Sequence, residues 1–215
     1  MFIFNTLKNN HLSWVLPISL ILILLITHFL DNFLLFHFFA EFFAIFVALS
    51  IGLIAINTFT FTKNKYLLFL GVGYIWIGFL DLFHTLTFPG MNIFVIGGIN
   101  VTLSIWVLTR LFESFLLLLA PFMRYRDFSI VKLSLLFFVL SSCICAIAFI
   151  SPMSLFTKES GLTLLKNSFE YAVILILFIT LIINKYRIQE FNIKVYYSIQ
   201  AAIIFTMLAE LSFTT

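Results

Sequence analysis

Residues 34–56 have the sequence LLFHFFAEFFAIFVALSIGLIAI, in which Glu41 is the only charged side chain. A helix needs about 20 apolar residues to cross the hydrocarbon core of a bilayer, so this stretch is long enough to span a membrane. Six other segments have the same character. The seven predicted spans are 13–30, 34–56, 66–86, 101–121, 130–150, 170–184 and 195–213. The chain is therefore predicted to be an all-α, polytopic transmembrane helix bundle, with residues 1–215 forming a single membrane domain.

The composition of the whole chain supports this prediction. Of its 215 residues, 63% are hydrophobic and 10% are charged, whereas a soluble domain is about 45–50% apolar and about 25% charged. A soluble fold of this size could not bury so much apolar surface, so we expect the lipid bilayer to surround the chain. The net charge is +3, and no basic stripe lies outside the membrane loops. This pattern argues against a nucleic-acid partner.

The distribution of basic residues predicts the orientation. With the N-terminus in the cytoplasm, nine of the eleven lysines and arginines in loops or near span ends lie on the cytoplasmic side, and Arg110 lies deep within a span. The two on the outer side are Lys158 and Lys166, which we expect in the loop before the sixth span. Because cytoplasmic loops are rich in Lys and Arg, the N-terminus is predicted to be cytoplasmic.

Polar side chains gather at one depth of the predicted bundle, its outer third. His37 and Glu41 lie one turn apart on the second span, Asp81 and His84 share a face of the third, and Glu210 lies near the outer end of the seventh. His28, Asp31 and Glu170 lie at a similar depth. Ionised groups in the bilayer core cost at least about 2.5–3.5 kcal/mol, so they should face the bundle interior or water.

This convergence predicts a ligand site built around Glu41, Asp81 and His84, with His37 beside it. Imidazole and carboxylate together suit divalent metals such as zinc, manganese or nickel, so these three residues are the candidate metal ligands. The same groups also hold protons or pair with a cationic ligand. Alternatively, polar groups near a helix end are simply hydrated at the membrane surface.

Arg110 and Glu113 are charged residues inside the fourth span. Arg110 lies about ten residues from the start of the span, which places it roughly 15 Å deep, near the midplane. We expect it to be paired inside the bundle, with Glu113 on the same helix face or with a carboxylate of another helix such as Glu41 or Asp81. A structural ion pair and a link between helix position and site occupancy are both consistent with this spacing.

Soluble catalytic signatures are absent from the sequence. It contains no Gly-x-Ser-x-Gly elbow, no His-Glu-x-x-His helix, no phosphate-binding loop and no Gly-rich dinucleotide turn. The chain is therefore not expected to be an enzyme by itself.

Two segments resemble a known family. Residues 70–91, LGVGYIWIGFLDLFHTLTFPGM, and residues 100–121, with Trp106-x-x-x-Arg110-x-x-Glu113-Ser114, are similar to the third type of bacterial membrane-associated sensor domain. Glu41 and the segment 209–214, AELSFT, fit the same pattern. The resemblance implies an N-terminal input module of sensor histidine kinases and diguanylate cyclases. Its matched polar positions are Glu41, Asp81, His84, Arg110, Glu113 and Glu210.

The resemblance also implies a function and a location. We expect a sensory input domain in the bacterial inner membrane that binds an ion, proton or small ligand and passes its occupancy to a cytoplasmic effector. A homodimer is among the expected assemblies. Seven spans would place Thr215 outside the cell, so an eighth helix is expected before any effector, and Glu210 on the seventh is expected to be under-satisfied.

Two other classes of function fit parts of the pattern. A seven-helix, ceramidase-like membrane hydrolase would hold zinc with His and Asp ligands and would keep one coordination position open for water. A transporter is the third alternative, although the sequence shows no inverted repeat.

Overall fold

The computed structural model describes residues 12–91, 93–94, 98–159, 161–187 and 193–214. This part of the chain forms seven α-helices and one short hairpin, which confirms the all-α polytopic prediction. The helices are α1 Leu12–Phe29, α2 Phe33–Thr62, α3 Lys65–Thr87, α4 Gly98–Met123, α5 Ile130–Ile150, α6 Leu164–Arg187 and α7 Ile193–Phe213. Two antiparallel strands, β1 Phe156–Thr157 and β2 Gly161–Leu162, lie between α5 and α6.

Six of these helices, α2 to α7, are long and apolar enough to cross a membrane. In α1 the described apolar stretch is shorter and covers Ile18–Thr27. The helix that differs most from its prediction is α6, which starts six residues earlier than the predicted span 170–184. Its first turns contain Lys166, which was expected in the preceding loop, and Glu170, which was the first residue of the predicted span. Their i, i+4 spacing lets them pair on one helix face.

Contacts along the chain group into two units, Met1–Phe43 and Ala44–Thr215. The first unit contains α1 and the first turns of α2, and the second contains the remaining helices. That residues 1–215 form one domain stays a prediction. In the second unit, α3 packs against α4 and α5, α4 against α5 and α6, and α6 against α7. The helices α3 and α4 are therefore central to the second unit.

The core around α3 is apolar and closely packed. Tyr66, Leu68 and Ile77 of α3 are almost completely buried, and Leu116 of α4 packs beside them. A Cβ at Gly73 would overlap the Leu116 side chain, so only glycine lets α3 and α4 approach this closely. Outward-facing apolar side chains of α5 and α7 are in contrast widely exposed, as lipid-facing surfaces are.

Side-chain caps fix where two helices begin. Asn64 precedes α3 and its Oδ1 accepts a hydrogen bond from the Leu67 backbone N–H at 3.1 Å. Ser129 has the same role for α5, where its Oγ accepts from Lys132 N–H at 3.5 Å. Pro121 does not end α4, which continues to Met123.

The segment between α5 and α6 is tied to the first turns of α4. Asn100 Oδ1 accepts hydrogen bonds from the backbone N–H groups of Leu155 and Phe156, at 3.1 and 2.8 Å, and its Nδ2 donates to the Phe156 carbonyl at 3.1 Å. Ser104 Oγ accepts from the Met153 N–H at 2.9 Å. This segment, residues 153–159 and 161–163, is called the outer hairpin below, after its side of the membrane in the predicted orientation.

Candidate functional site

A buried ion network joins α3 and α4. Arg110 Nη2 donates to Asp81 Oδ1 on the neighbouring helix, and Arg110 Nη1 donates to Glu113 Oε2 at 2.5 Å. The carboxylate side chains are only 5% and 8% exposed, and that of Arg110 is 19% exposed. The structure thus confirms the predicted pairing of Arg110, both within α4 and across to Asp81.

Tyr74, which lies two turns before Asp81 on α3, is the fourth residue of this network. Its hydroxyl donates to Glu113 Oε1 at 3.0 Å, so each oxygen of the Glu113 carboxylate accepts one hydrogen bond. Within the described part of the chain, the buried Arg110 Nε has no hydrogen-bond partner. The network therefore leaves one nitrogen of the guanidinium, Nε, unused.

His84 lies one turn after Asp81 on α3 and is 5% exposed. Its Nδ1 lies 3.1 Å from the carbonyl oxygen of Thr102, and a carbonyl can only accept, so Nδ1 carries the proton of this bond. The Thr102 hydroxyl in turn donates to the Thr87 carbonyl at 2.7 Å. With the proton on Nδ1, the other ring nitrogen, Nε2, is the one that could ligate a metal, as in metal sites where the second nitrogen of the histidine donates to a carbonyl.

A second group of buried charges lies on α6 and α7. Lys166, Glu170 and Glu210 are 3%, 1% and 2% exposed. Lys166 Nζ lies 2.7 Å from Glu170 Oε1 and also donates to the carbonyl of Phe213. The Lys166–Glu170 contact is a close ion pair without hydrogen-bond geometry, since among the described residues neither Glu170 oxygen has a hydrogen-bond partner.

Glu210 connects the two groups of charges electrostatically. The charges that act on it are Arg110 and Glu113 of α4 and Lys166 and Glu170 of α6. Its Oε2 has no hydrogen-bond partner in the described structure, as the sequence predicted for an under-satisfied Glu210. Three residues further on, the Phe213 ring packs edge-on against Trp106 of α4, with ring centroids 5.1 Å apart. The C-terminal end of α7 thus rests against the helix that carries Arg110.

The remaining predicted site residues, His37 and Glu41, belong to the first unit. They lie one turn apart on α2 and are half-buried, and the His37 ring stacks on Phe33 with centroids 6.1 Å apart. Asp81 and His84 belong to the second unit, so a site that joins all four stays a prediction. The side chain of His28 lies outside the described residues.

Sequence reasoning missed three residues of the two buried polar groups, namely Lys166 and Glu170 on α6 and Tyr74 on α3. Lys166 was expected in an outer loop but lies within α6, where it is buried against Glu170; this expectation was wrong. Glu170 and Tyr74 were not chosen as site residues. The signals were present, because Lys166 and Glu170 have the i, i+4 spacing of a helical ion pair and Tyr74 lies two turns before Asp81 on α3.

Comparison with known proteins identifies a family for most of the chain. The sequence model of the membrane-associated sensor domain MASE3 matches residues 28–215. This match confirms the family resemblance seen in residues 70–91 and 100–121. No curated protein matches the chain, and no solved structure matches it either.

Proposed function

The chain belongs to the membrane-associated sensor domain family, and from this premise we propose that it is the input domain of a signalling protein. An ion, proton or small ligand binds among the polar side chains in the outer half of the bundle. The helices then relay its occupancy to a cytoplasmic output. The observation that carries this proposal is the network of Asp81, Arg110 and Glu113, which places ionised groups in the interior of a membrane bundle.

Buried ions in a lipid-embedded bundle point to function because apolar packing would be the cheaper way to join two helices. Replacing a buried ion pair by well-packed apolar residues is often neutral or stabilising, whereas breaking one is strongly destabilising. Ionisable residues in membrane segments accordingly mark ligand sites, proton paths or sensors of charge. The Arg110 network crosses between α3 and α4, so any ligand that competes for Asp81 or Glu113 changes the contact between these helices.

Relay requires two helix arrangements with different affinity for the ligand. Arg110 can provide this difference, since its guanidinium has five donors and the network uses two of its three nitrogens. The proposed output is a histidine kinase or a diguanylate cyclase in the cytoplasm of a bacterial cell, acting from the inner membrane. The chain itself is proposed to carry no catalytic activity, and a homodimer is the proposed assembly.

A divalent metal is one candidate ligand for this site. Glu41, Asp81 and His84 remain the proposed ligands, and the fixed tautomer of His84 supports this choice. Titration of the purified chain with Zn²⁺, Mn²⁺ and Ni²⁺, compared with a His84→Ala variant, tests it. Equal binding by both proteins would remove His84 from the ligand set.

The sensor proposal is tested by following helix movement. In a variant with Cys143→Ser and Cys145→Ser, spin labels at Lys63→Cys and Arg126→Cys report on two loops that are cytoplasmic in the predicted orientation. We expect the label distance in lipid nanodiscs to change when pH or divalent metal concentration changes, and Arg110→Ala to abolish the change. Arg124→Ala, in a loop, is the matched control and should respond as the parent does.

The output is tested with the complete polypeptide. The reading frame downstream of codon 215 should encode a kinase or cyclase, and its activity in membranes should differ between the parent and Arg110→Ala. The sensor function would be refuted if the label distance changed with neither pH nor metal concentration and the output activity were the same in the parent and Arg110→Ala.

A further inference from the structure

The buried charges of the second unit do not balance. Among the described residues, four carboxyl groups and two cations lie in the interior of this unit. The carboxyl groups are Asp81, Glu113, Glu170 and Glu210, and the cations are Arg110 and Lys166. With every group ionised the cluster would hold two excess negative charges. An excess of this kind is strongly unfavourable away from water, so the cluster must take up protons or a cation.

One of the two excess charges belongs to the α3–α4 network, where the single guanidinium of Arg110 serves two carboxylates, and the other is located at Glu210. Asp81 and Glu113 both accept from Arg110, and Glu170 is in close contact with Lys166. For Glu210, in contrast, no ion pair or hydrogen bond to Oε2 exists within the described residues, although the side chain is almost completely buried. The same cluster contains a donor without an acceptor, Arg110 Nε. One buried acceptor and one buried donor are thus both unused.

A proton suits this position better than a metal ion. Mg²⁺ and Ca²⁺ require six or more oxygen ligands. Of the two carboxylates that act on Glu210, Glu113 already accepts from Arg110 and Glu170 contacts Lys166, whose positive charge would repel a metal ion. A proton needs only one oxygen and removes one of the excess charges directly.

We propose that Glu210 is the proton-binding group of this sensor domain. The protonated carboxyl group is the resting form. Release of the proton to the outer aqueous phase creates a carboxylate at Glu210. This carboxylate attracts Arg110 and can accept a hydrogen bond from the unused Arg110 Nε, which shifts the contact of α7 with α4. This inference rests on the proposed function and names the proton as its ligand.

The groups that face Glu210 determine how it responds to pH. From α4 these are Arg110, which favours the carboxylate, and Glu113, which opposes it. From α6 they are Lys166, which favours the carboxylate, and Glu170, which opposes it. Two residues of α3 act on Glu210 indirectly: Asp81 through its contact with Arg110, and Tyr74 through its hydrogen bond to Glu113. Because these groups are coupled, the observed titration belongs to the cluster as a whole.

Infrared difference spectroscopy of the whole chain in lipid nanodiscs tests the proposal. Raising the pH from acid to alkaline should remove a carboxylic-acid C=O band that persists at neutral pH. Glu210→Gln should lack this band, because glutamine imitates the protonated form but cannot titrate. Glu159→Gln is the matched control, since Glu159 is exposed in the outer hairpin, and it should leave the band unchanged.

A second variant keeps the test decisive if Glu210→Gln does not fold. Glu170→Gln removes a like charge, so the titration midpoint of the band should move to lower pH. A band that is identical in the parent, Glu210→Gln and Glu170→Gln would overturn the proposal. So would a midpoint that follows Na⁺ or Mg²⁺ concentration at constant ionic strength, because a metal cation would then hold the site.

The two proposals fail separately. If the band behaves as expected but the label distance changes with neither pH nor metal concentration and the output does not depend on Arg110, Glu210 binds a proton and the sensor function is wrong. If the band is absent while another ligand moves the helices, the sensor function stands and the proton is not its ligand.

Discussion

The two buried charge groups of this protein each contain two carboxyl groups and one cation but differ in how completely they are paired. On α3 and α4, Asp81, Arg110 and Glu113 form a connected network in which both Glu113 oxygens accept hydrogen bonds. On α6 and α7, Glu210 Oε2 has no described partner, and the contact between Lys166 and Glu170 lacks hydrogen-bond geometry. A network in which both Glu113 oxygens are paired holds its helices more firmly, whereas a carboxylate oxygen without a described partner can take up a new one. We therefore expect α3 and α4 to contribute more to stability, and we expect the proton response to begin at α6 and α7 and to reach α3 and α4 through Arg110.

Removing the guanidinium is the strongest way to break this comparison. Arg110→Ala leaves Asp81 and Glu113 buried beside each other without a cation. The free energy of unfolding should fall by about 3–5 kcal/mol, the usual loss when one partner of a buried pair is removed. Denaturation in mixed detergent micelles measures the loss, with the exposed Arg126→Ala as control. Equal stability of the two variants would show that the network does not hold α3 and α4 together.

Neutralising one carboxylate in each group sharpens the comparison directly. Glu113→Gln should destabilise the chain by about 1–3 kcal/mol, because it removes a charge partner of Arg110 and leaves a buried donor unpaired. Glu210→Gln should be neutral or slightly stabilising at neutral pH, because the side chain it replaces lacks a full set of partners. Denaturation of both variants in mixed detergent micelles measures the two changes in the free energy of unfolding. A larger loss from Glu210→Gln would reverse the assignment of stability and response.

The contribution of Tyr74 should be smaller. Tyr74→Phe deletes one hydroxyl that donates to Glu113 at 3.0 Å and leaves the aromatic ring in place. We expect a loss of about 1–2 kcal/mol, since the acceptor is charged but keeps its bond from Arg110. In a double-mutant cycle, the loss should disappear in the Glu113→Gln background. Full additivity of the two changes would contradict the contact between them.

The smallest effect is expected at the cytoplasmic surface of the predicted topology. The hydrogen bond from Lys65 lowers the pKa of Asp127 below its ordinary value. The stabilising contribution is therefore complete above the pKa of the unfolded chain and is lost as the pH falls through the lower, folded pKa. Asp127 is almost fully exposed, so the contribution is small and screened by salt. Asp127→Asn should differ slightly from the parent at neutral pH and not at all in acid. A difference that grows in acid would contradict the assigned pairing.

Most of the fold followed from hydropathy, because a lipid environment leaves few alternatives to a helix for an apolar stretch of this length. The start of α6 did not follow, since Lys166 and Glu170 lower the local hydropathy and only their mutual contact in three dimensions makes them compatible with a buried helix. The pairing of Arg110 was predictable from the cost of a lone charge at the midplane. Which partner on another helix it would choose was not, because helix order and rotation are set by packing such as that of Gly73 against Leu116.

The grip of Asn100 and Ser104 on the outer hairpin has a mechanical consequence. Both anchors and the Arg110–Glu113 pair stand on the same 26-residue helix, α4, and Asn100 is ten residues, or roughly 15 Å, from Arg110. Because one continuous helix connects the two sites, a displacement of the outer hairpin along the axis of α4 would move the Arg110 guanidinium in the same direction. A partner that binds the outer hairpin could therefore alter the ion network without contacting it.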